Sequence, residues 1–200
     1  MKEWKGDLAE CGIFFLYKPL FISGEKGIAK MLDQKLVDLF NRQINLEWYS
    51  AYFYLDISDY YADKNLNGFG NWFSIQTQEE RDHAMLFVKY LLNNGVKPAL
   101  QDVKAPDVTF NDFSEPAKAA LAHEKKVTAS INEIYAAAYE QKDFRTMQFL
   151  DWFVKEQGEE EKNTEDIVKR YELFGNDAKG LYLLDSELAA RTYAPATLVI

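Results

Sequence analysis

The sequence predicts an all-α fold: a four-helix bundle built from two helical hairpins, with a long crossover between helices two and three and a short fifth helix. Three observations carry that prediction. Gly and Pro are scarce, at 10 and 5 of 200 residues, so long segments run uninterrupted. Within those segments apolar residues recur at steps of three and four, the spacing of one helix face. Between the second and third segments, Val96 to Ser114 carries Pro98 and Pro106 and shows no helical period. A connection of that length is uncommon unless it has a task. About 19 extended residues span ~60 Å, more than the ~39 Å of a helix of about 26 residues. The loop can therefore run back along the bundle, which sets the third helix parallel to the second.

Each element has its own signature. The first helix runs from about Leu32 to Ala62, with the stripe Leu36, Phe40, Gln43, Glu47, Ala51, Tyr54 and Ser58. Asp63 to Gly68 is a short polar turn. The second helix runs from about Phe69 to Asn94, and Gly95 with Pro98 ends it. Its stripe is Phe73, Gln76, Glu80, His83, Phe87 and Tyr90. Ser114-Glu115-Pro116 reads as an N-cap followed by Pro in the first turn of the third helix. That helix reaches about Gln141 with the stripe Leu121, Glu124, Thr128, Ile131, Tyr135 and Ala138. Lys142-Asp143 makes a tight corner. The fourth helix runs from Phe144 to Phe174 with the stripe Phe149, Phe153, Glu156 or Gln157, Glu160, Thr164, Ile167 and Tyr171. A fifth helix spans roughly Ala178 to Ala190, and an irregular tail follows.

Residues 1–30 read differently from the rest. Met31 opens the first clean helical pattern, and Gly24-Glu25-Lys26-Gly27 just upstream is encoded by purine-rich codons, like a bacterial ribosome-binding site. The expectation is that residues 1–30 are translated leader and that residues 31–200 form the domain.

Composition excludes several classes. The net charge is −9, from 32 acidic and 23 basic residues, so the basic footprint of a nucleic-acid surface is missing. Cys11 stands alone, which excludes an internal disulfide framework and a cysteine metal cage. A reducing, cytoplasmic location is the simplest expectation. No apolar run approaches the ~20 residues of a membrane span, so no membrane partner is expected.

The chemistry lies mid-stripe. Glu80 and His83 are three apart on one helix face and offer a carboxylate and an imidazole to one point. Counting from the helix ends places Glu47, Glu80, Glu124 and Glu160 at one level of the bundle. No Lys or Arg lies on the stripes to neutralise them, and a buried charge must be paired or bind metal. Four carboxylates match two divalent cations, and mixed oxygen and imidazole ligation suits Fe(II) or Mn(II). In this reading Glu47 and His83 hold one metal, Glu124 and Glu160 hold the other, and Glu80 bridges them. Gln157, one turn from Glu160, reaches the second metal or its water. Tyr54 lies on the Glu47 stripe as a hydrogen-bond or one-electron donor. Of the run Glu159-Glu160-Glu161, Glu161 is expected to face solvent, His123 to be structural or at the surface, and Trp152 to pack near the site.

Residues 31–190 resemble the bacterial non-haem ferritins. The resemblance rests on Asn45 to Ser50, Glu79 to His83, His123-Glu124 and Asp151 to Lys162, and on the spacing between them. It implies a ferritin-like bundle, a di-iron ferroxidase centre that oxidises Fe(II) with O2 or H2O2, and a homo-24-mer cage storing ferric mineral. It also implies a third iron site on Glu79, Glu156 and Glu159. The fourth helix lacks the second Glu-x-x-His of bacterioferritins and rubrerythrins. Arg81 stands where bacterioferritins place a haem-binding Met, so no haem is expected. The alternatives are a di-iron oxygenase or peroxidase of the same bundle, or a non-catalytic helical bundle.

Overall fold

Among the described residues five helices form where the periodic segments predict them: α1 Gln34–Asp63, α2 Asn67–Asn93, α3 Glu115–Glu140, α4 Phe144–Phe174 and α5 Ala178–Leu188. The structure is a computed structural model and describes residues 32–200; the expected leader lies outside the described residues. Among the described residues, no helix is long and apolar enough to cross a membrane. α1 pairs chiefly with α2 and α3 with α4, and α1 also packs on α3. α5 docks on α2 and α4.

The helix ends follow from local chemistry. Asp33 accepts from the Lys35 amide at 2.9 Å, and Asp177 accepts from the Gly180 amide at 2.8 Å. Each satisfies a donor that the first helical turn leaves free. Gly95 ends the α2 region with φ +74°, a conformation that costs glycine little. Two sequence expectations shift. Ser114 makes no capping bond; instead Asp112 accepts from the Ser114 amide at 2.7 Å and the Glu115 amide at 3.1 Å. A carboxylate two residues upstream outcompetes the hydroxyl for these donors. α2 also starts at Asn67, not Phe69, because Asp185 of α5 accepts from the Gly68 amide at 2.8 Å and the Phe69 amide at 3.0 Å. A side chain distant in sequence supplies the cap. A Cβ on Gly68 would lie 1.7 Å from the Asp185 carbonyl oxygen, so the docking of α5 requires glycine there.

The crossover does run back along α1. The Ala99 amide donates to Asn41 at 2.9 Å, Asn45 donates to the Asp102 carbonyl at 3.1 Å, and Tyr61 donates to the Phe113 carbonyl at 2.7 Å. Contacts advance along α1 as the loop advances, so α3 starts beside the C-terminal end of α1.

The buried stripes of α1, α2 and α4 are the expected ones. That of α3 is rotated: Ala117, Ala120, Glu124, Val127, Ile131, Ile134 and Ala138 are buried, while Leu121, Thr128 and Tyr135 are half-buried. Glu124, Ile131 and Ala138 of the predicted stripe are among the buried residues. Two apolar clusters result. One gathers Phe40, Phe87, Tyr90, Phe149 and Phe153, and the other Phe53, Tyr54, Tyr61, Phe69 and Phe73. The polar side chains of the candidate site lie on the same four stripes, between these clusters.

Candidate metal centre

Four helices each deliver one buried carboxylate to the middle of the bundle. Glu47 (α1), Glu80 and His83 (α2), Glu124 (α3) and Glu160 (α4) are between 0 and 3% exposed. The ligand atoms of Glu47, Glu80 and His83 lie within 4.8 Å of one another. His83 Nδ1 is 3.8 Å from Glu80 Oε2. A second set, His83, Glu156 and Glu160, also has ligand atoms within 4.8 Å of one another. His83 thus stands at the junction of two groups. Trp152 meets its ring edge-on, with centroids 5.6 Å apart.

Side chains next to the carboxylates fix their orientation. Gln43 donates to Glu47 Oε1 at 2.8 Å, and its own carbonyl accepts from Ser130 at 2.5 Å. Gln76 donates to Glu160 Oε2 at 2.9 Å. Gln157 donates to Glu124 Oε2 at 3.1 Å, and the Tyr54 hydroxyl donates to Glu124 Oε1. Gln157 and Tyr54 therefore both steady Glu124. The roles of Gln43 and Gln76 were missed in the sequence, although both lie on the stripes. The available signal was a polar residue one turn before Glu47 and one turn before Glu80, in lines that are otherwise mostly apolar.

Three oxygens lack a hydrogen bond. Glu47 Oε2, Glu80 Oε2 and Gln76 Oε1 are buried without a hydrogen bond. Such atoms cost free energy unless a donor or cation meets them. No lysine or arginine is buried among the described residues, so no such side chain lies within this layer to pair with the carboxylates. Burial, and then the mutual repulsion of the carboxylates, pushes Glu47 and Glu80 far above the ordinary carboxylate range. Burial likewise raises Glu124 and pushes Glu160 up to about 8. Burial and the adjacent Glu124 also raise the Tyr54 hydroxyl. Burial thus favours the protonated forms of these groups; a cation could satisfy the same oxygens in place of the protons.

His123 stays apart from this layer's ligands. It is buried, with Nε2 2.7 Å from the Ser50 hydroxyl, and packs among Tyr49, Phe53 and Tyr54. Burial holds it down to about 4, so it is a neutral structural imidazole.

The residues expected to form a third site are in a different setting. Glu79 is half-buried and paired with Arg191 at 2.5 Å. Glu156 is half-buried, and burial raises its carboxyl. Glu159 is exposed and paired with Lys155 at 3.2 Å. All three line a cleft of about 290 Å³ that His83 and Trp152 share. Of the acidic run, Glu159 is the solvated member. Glu161 is half-buried and accepts from Thr128 at 2.5 Å, contrary to the expectation that it faces solvent. Two steps of ~100° along the helix separate Glu159 from Glu161, with the buried Glu160 between them.

Comparison with known proteins agrees with this geometry. A sequence family described as "Ferritin-like domain" matches residues 37–174. A bacterial non-heme ferritin of Staphylococcus epidermidis is 35% identical over 163 residues, 82% of this chain and 98% of that protein. A probable bacterial non-heme ferritin-like protein of Haemophilus influenzae is 34% identical over 158 residues, 79% of this chain and 96% of that protein. Among solved structures, an open-pore ferritin from the archaeon Archaeoglobus fulgidus superposes with a TM-score of 0.79 at 39% identity, covering 81% of this chain and 99% of that one.

Proposed function

This chain belongs to the ferritin family, and from that premise we propose that it is an iron-storage ferroxidase. The observation that carries the proposal is the set of orphaned buried oxygens on Glu47 and Glu80 beside His83, in a layer without a protein cation. Fe(II) enters as substrate. Glu47 and His83 hold one ion, Glu124 and Glu160 the other, and Glu80 lies between them. Gln43, Gln76, Gln157 and Tyr54 keep the carboxylates in place, so little reorganisation accompanies binding. As each ion binds, the carboxyl protons leave, and the dry layer keeps bulk water from competing.

Each Fe(II) gives up one electron. The pair reduces O2 with two protons to H2O2, or H2O2 with two protons to two waters. Fe(III) then moves to a cavity in a homo-24-mer and joins a ferric mineral. Glu79, Glu156 and Glu159 form a third iron site on that path, no haem takes part, and the assembly works in the cytoplasm.

Aerobic addition of Fe(II) to metal-free protein tests this reading, with Glu80→Ala run in parallel and ferric absorbance followed. Wild type is expected to oxidise about two irons per chain in a fast phase, then to keep hundreds more in soluble form. The variant loses the fast phase. Oxidation that stops near two irons per chain removes the storage function and leaves a di-iron oxygenase or peroxidase. A variant that matches wild type removes the centre.

A further inference from the structure

The third carboxylate group already has a cation, and it comes from the tail. Arg191 lies just beyond the end of α5. Its Nη2 is 2.5 Å from Glu79 Oε2, and the two side chains are 20% and 19% exposed. The guanidinium is held on two further sides. Nη1 donates to the Trp72 carbonyl at 3.2 Å, and the guanidinium carbon sits 4.1 Å above the centre of the Trp72 ring. The backbone is tied as well, because Asn71 donates to the Arg191 carbonyl at 3.0 Å. Beyond Arg191 the tail stays on this surface. Tyr193 donates to Asp82, Trp152 donates to the Thr197 hydroxyl at 3.2 Å, and Ala194 to Thr197 form one wall of the cleft that Glu79 and Glu156 line.

We propose that Arg191 is a built-in counter-cation of the third carboxylate group, so that a metal ion binds there only by displacing it from Glu79. The inference rests on the reading that this group takes metal. An arginine does not lose its charge at any working pH, so a competing cation is what frees the carboxylate. Coulombic attraction scales with charge, so a trivalent ion displaces the guanidinium more readily than a divalent one. Arg191 thereby raises the affinity an ion needs to occupy the group, a threshold that the more highly charged product of the buried pair meets more readily than its substrate. The buried pair has no such competitor and fills first. Arg191 is a positioning residue here, since it touches a ligand and not the reacting atoms.

Anaerobic calorimetric titration with Zn(II), which is redox-inert, tests this on the whole protein, with wild type, Arg191→Gln, Arg191→Lys and the double variant Glu79→Gln/Arg191→Gln. In Arg191→Gln the third zinc is expected to bind about tenfold more tightly, the equivalent of one lost charge-assisted contact, with the two tight sites unchanged. Arg191→Lys keeps a cation but loses the planar fork and the Trp72 contact, and falls between. It decides the matter alone should Arg191→Gln fail to fold. The double variant loses the gain. Repeating the titration with Tb(III) gives the same ratio between variant and wild type, because the exchange with Arg191 costs every entering ion the same. A third zinc that binds equally in wild type and Arg191→Gln overturns the role of Arg191 and leaves the site standing. No third zinc in any of these proteins overturns the reading of the group itself, and the proposal with it.

Discussion

The two carboxylate groups differ by one residue in sequence and by almost everything in environment. Glu80 follows Glu79 on α2, and Glu160 follows Glu159 on α4. A single ~100° step along each helix turns one member to the core and the other to the cleft. Glu80 is buried beside Glu47 and His83, and Glu160 is buried and accepts from the Gln76 amide. Glu79 and Glu159 are paired with Arg191 and Lys155. The inner group has no lysine or arginine in contact with its carboxylates among the described residues, and protons or metal neutralise it. The outer group is a set of compensated charges that a metal enters by exchange. Ligand-type residues are thus not enough to define a strong site; the absence of a resident cation distinguishes it.

The comparison breaks most visibly in iron oxidation. Glu80→Ala removes the carboxylate between both ions and should slow the initial rate by more than the roughly 100-fold that loss of a ligand's supporting partner costs. Glu79→Ala, outside the buried layer, should slow the first turnover far less and alter the later phase instead. Stopped-flow absorbance on both variants checks this. Equal losses in the first phase mean that the two groups act as one.

Stability of the metal-free protein offers the next test. Burial holds the inner carboxyls above their usual range, with Glu160 up to about 8. A raised acid favours its neutral form in the folded state. Its contribution is therefore fully present below the unfolded value near 4.5 and is lost as pH rises towards 8. Metal-free protein should melt lower at pH 8 than at pH 5; a loss of a few kcal/mol corresponds to on the order of 10 °C at this chain length. Loading with two divalent ions should flatten that slope, because the ions replace the protons. Glu160→Gln should also flatten it without metal. A slope that metal leaves untouched removes the link between burial and binding.

Much of this arrangement was legible in the sequence, for a physical reason. Long helices with a 3.6-residue period write their buried face directly into the chain, and Glu47, Glu80 and Glu160 stood out because charge interrupted an apolar line. α3 was read less well. Of its predicted stripe, Glu124, Ile131 and Ala138 are buried, but Leu121, Thr128 and Tyr135 are only half-buried, and Ala120, Val127 and Ile134 are buried in addition. A stripe drawn at strict steps of three and four kept only one side of a wider buried face. Arg191 and Asp185 carried no local signal at all. Arg191 acts on a residue 112 positions away and Asp185 on one 117 positions away, so only the docking of α5 and the tail gives them partners. Gln43 and Gln76 lie between these cases, visible as polar interruptions but mute about which carboxylate they hold. Gln43→Leu and Gln76→Leu should each weaken metal binding by about 10–100-fold, measured with Zn(II), while leaving the helical content intact. No change in affinity shows that the carboxylates are oriented by packing alone.

The smallest effect concerns Gly158, which sits on α4 between Gln157 of the inner layer and Glu159 of the cleft. A Cβ there would meet nothing within 4 Å, and the position is exposed in a helix interior. Neither a turn nor a close approach requires glycine. Gly158→Ala should therefore raise stability by about 1 kcal/mol through helix propensity alone, or ~2–4 °C in melting temperature. Iron oxidation and zinc binding should not move. If the melting temperature rises and the oxidation rate falls, the softness of the helix at this step is itself part of how the two groups exchange metal, and the separation drawn between them is then a matter of backbone motion as well as of charge.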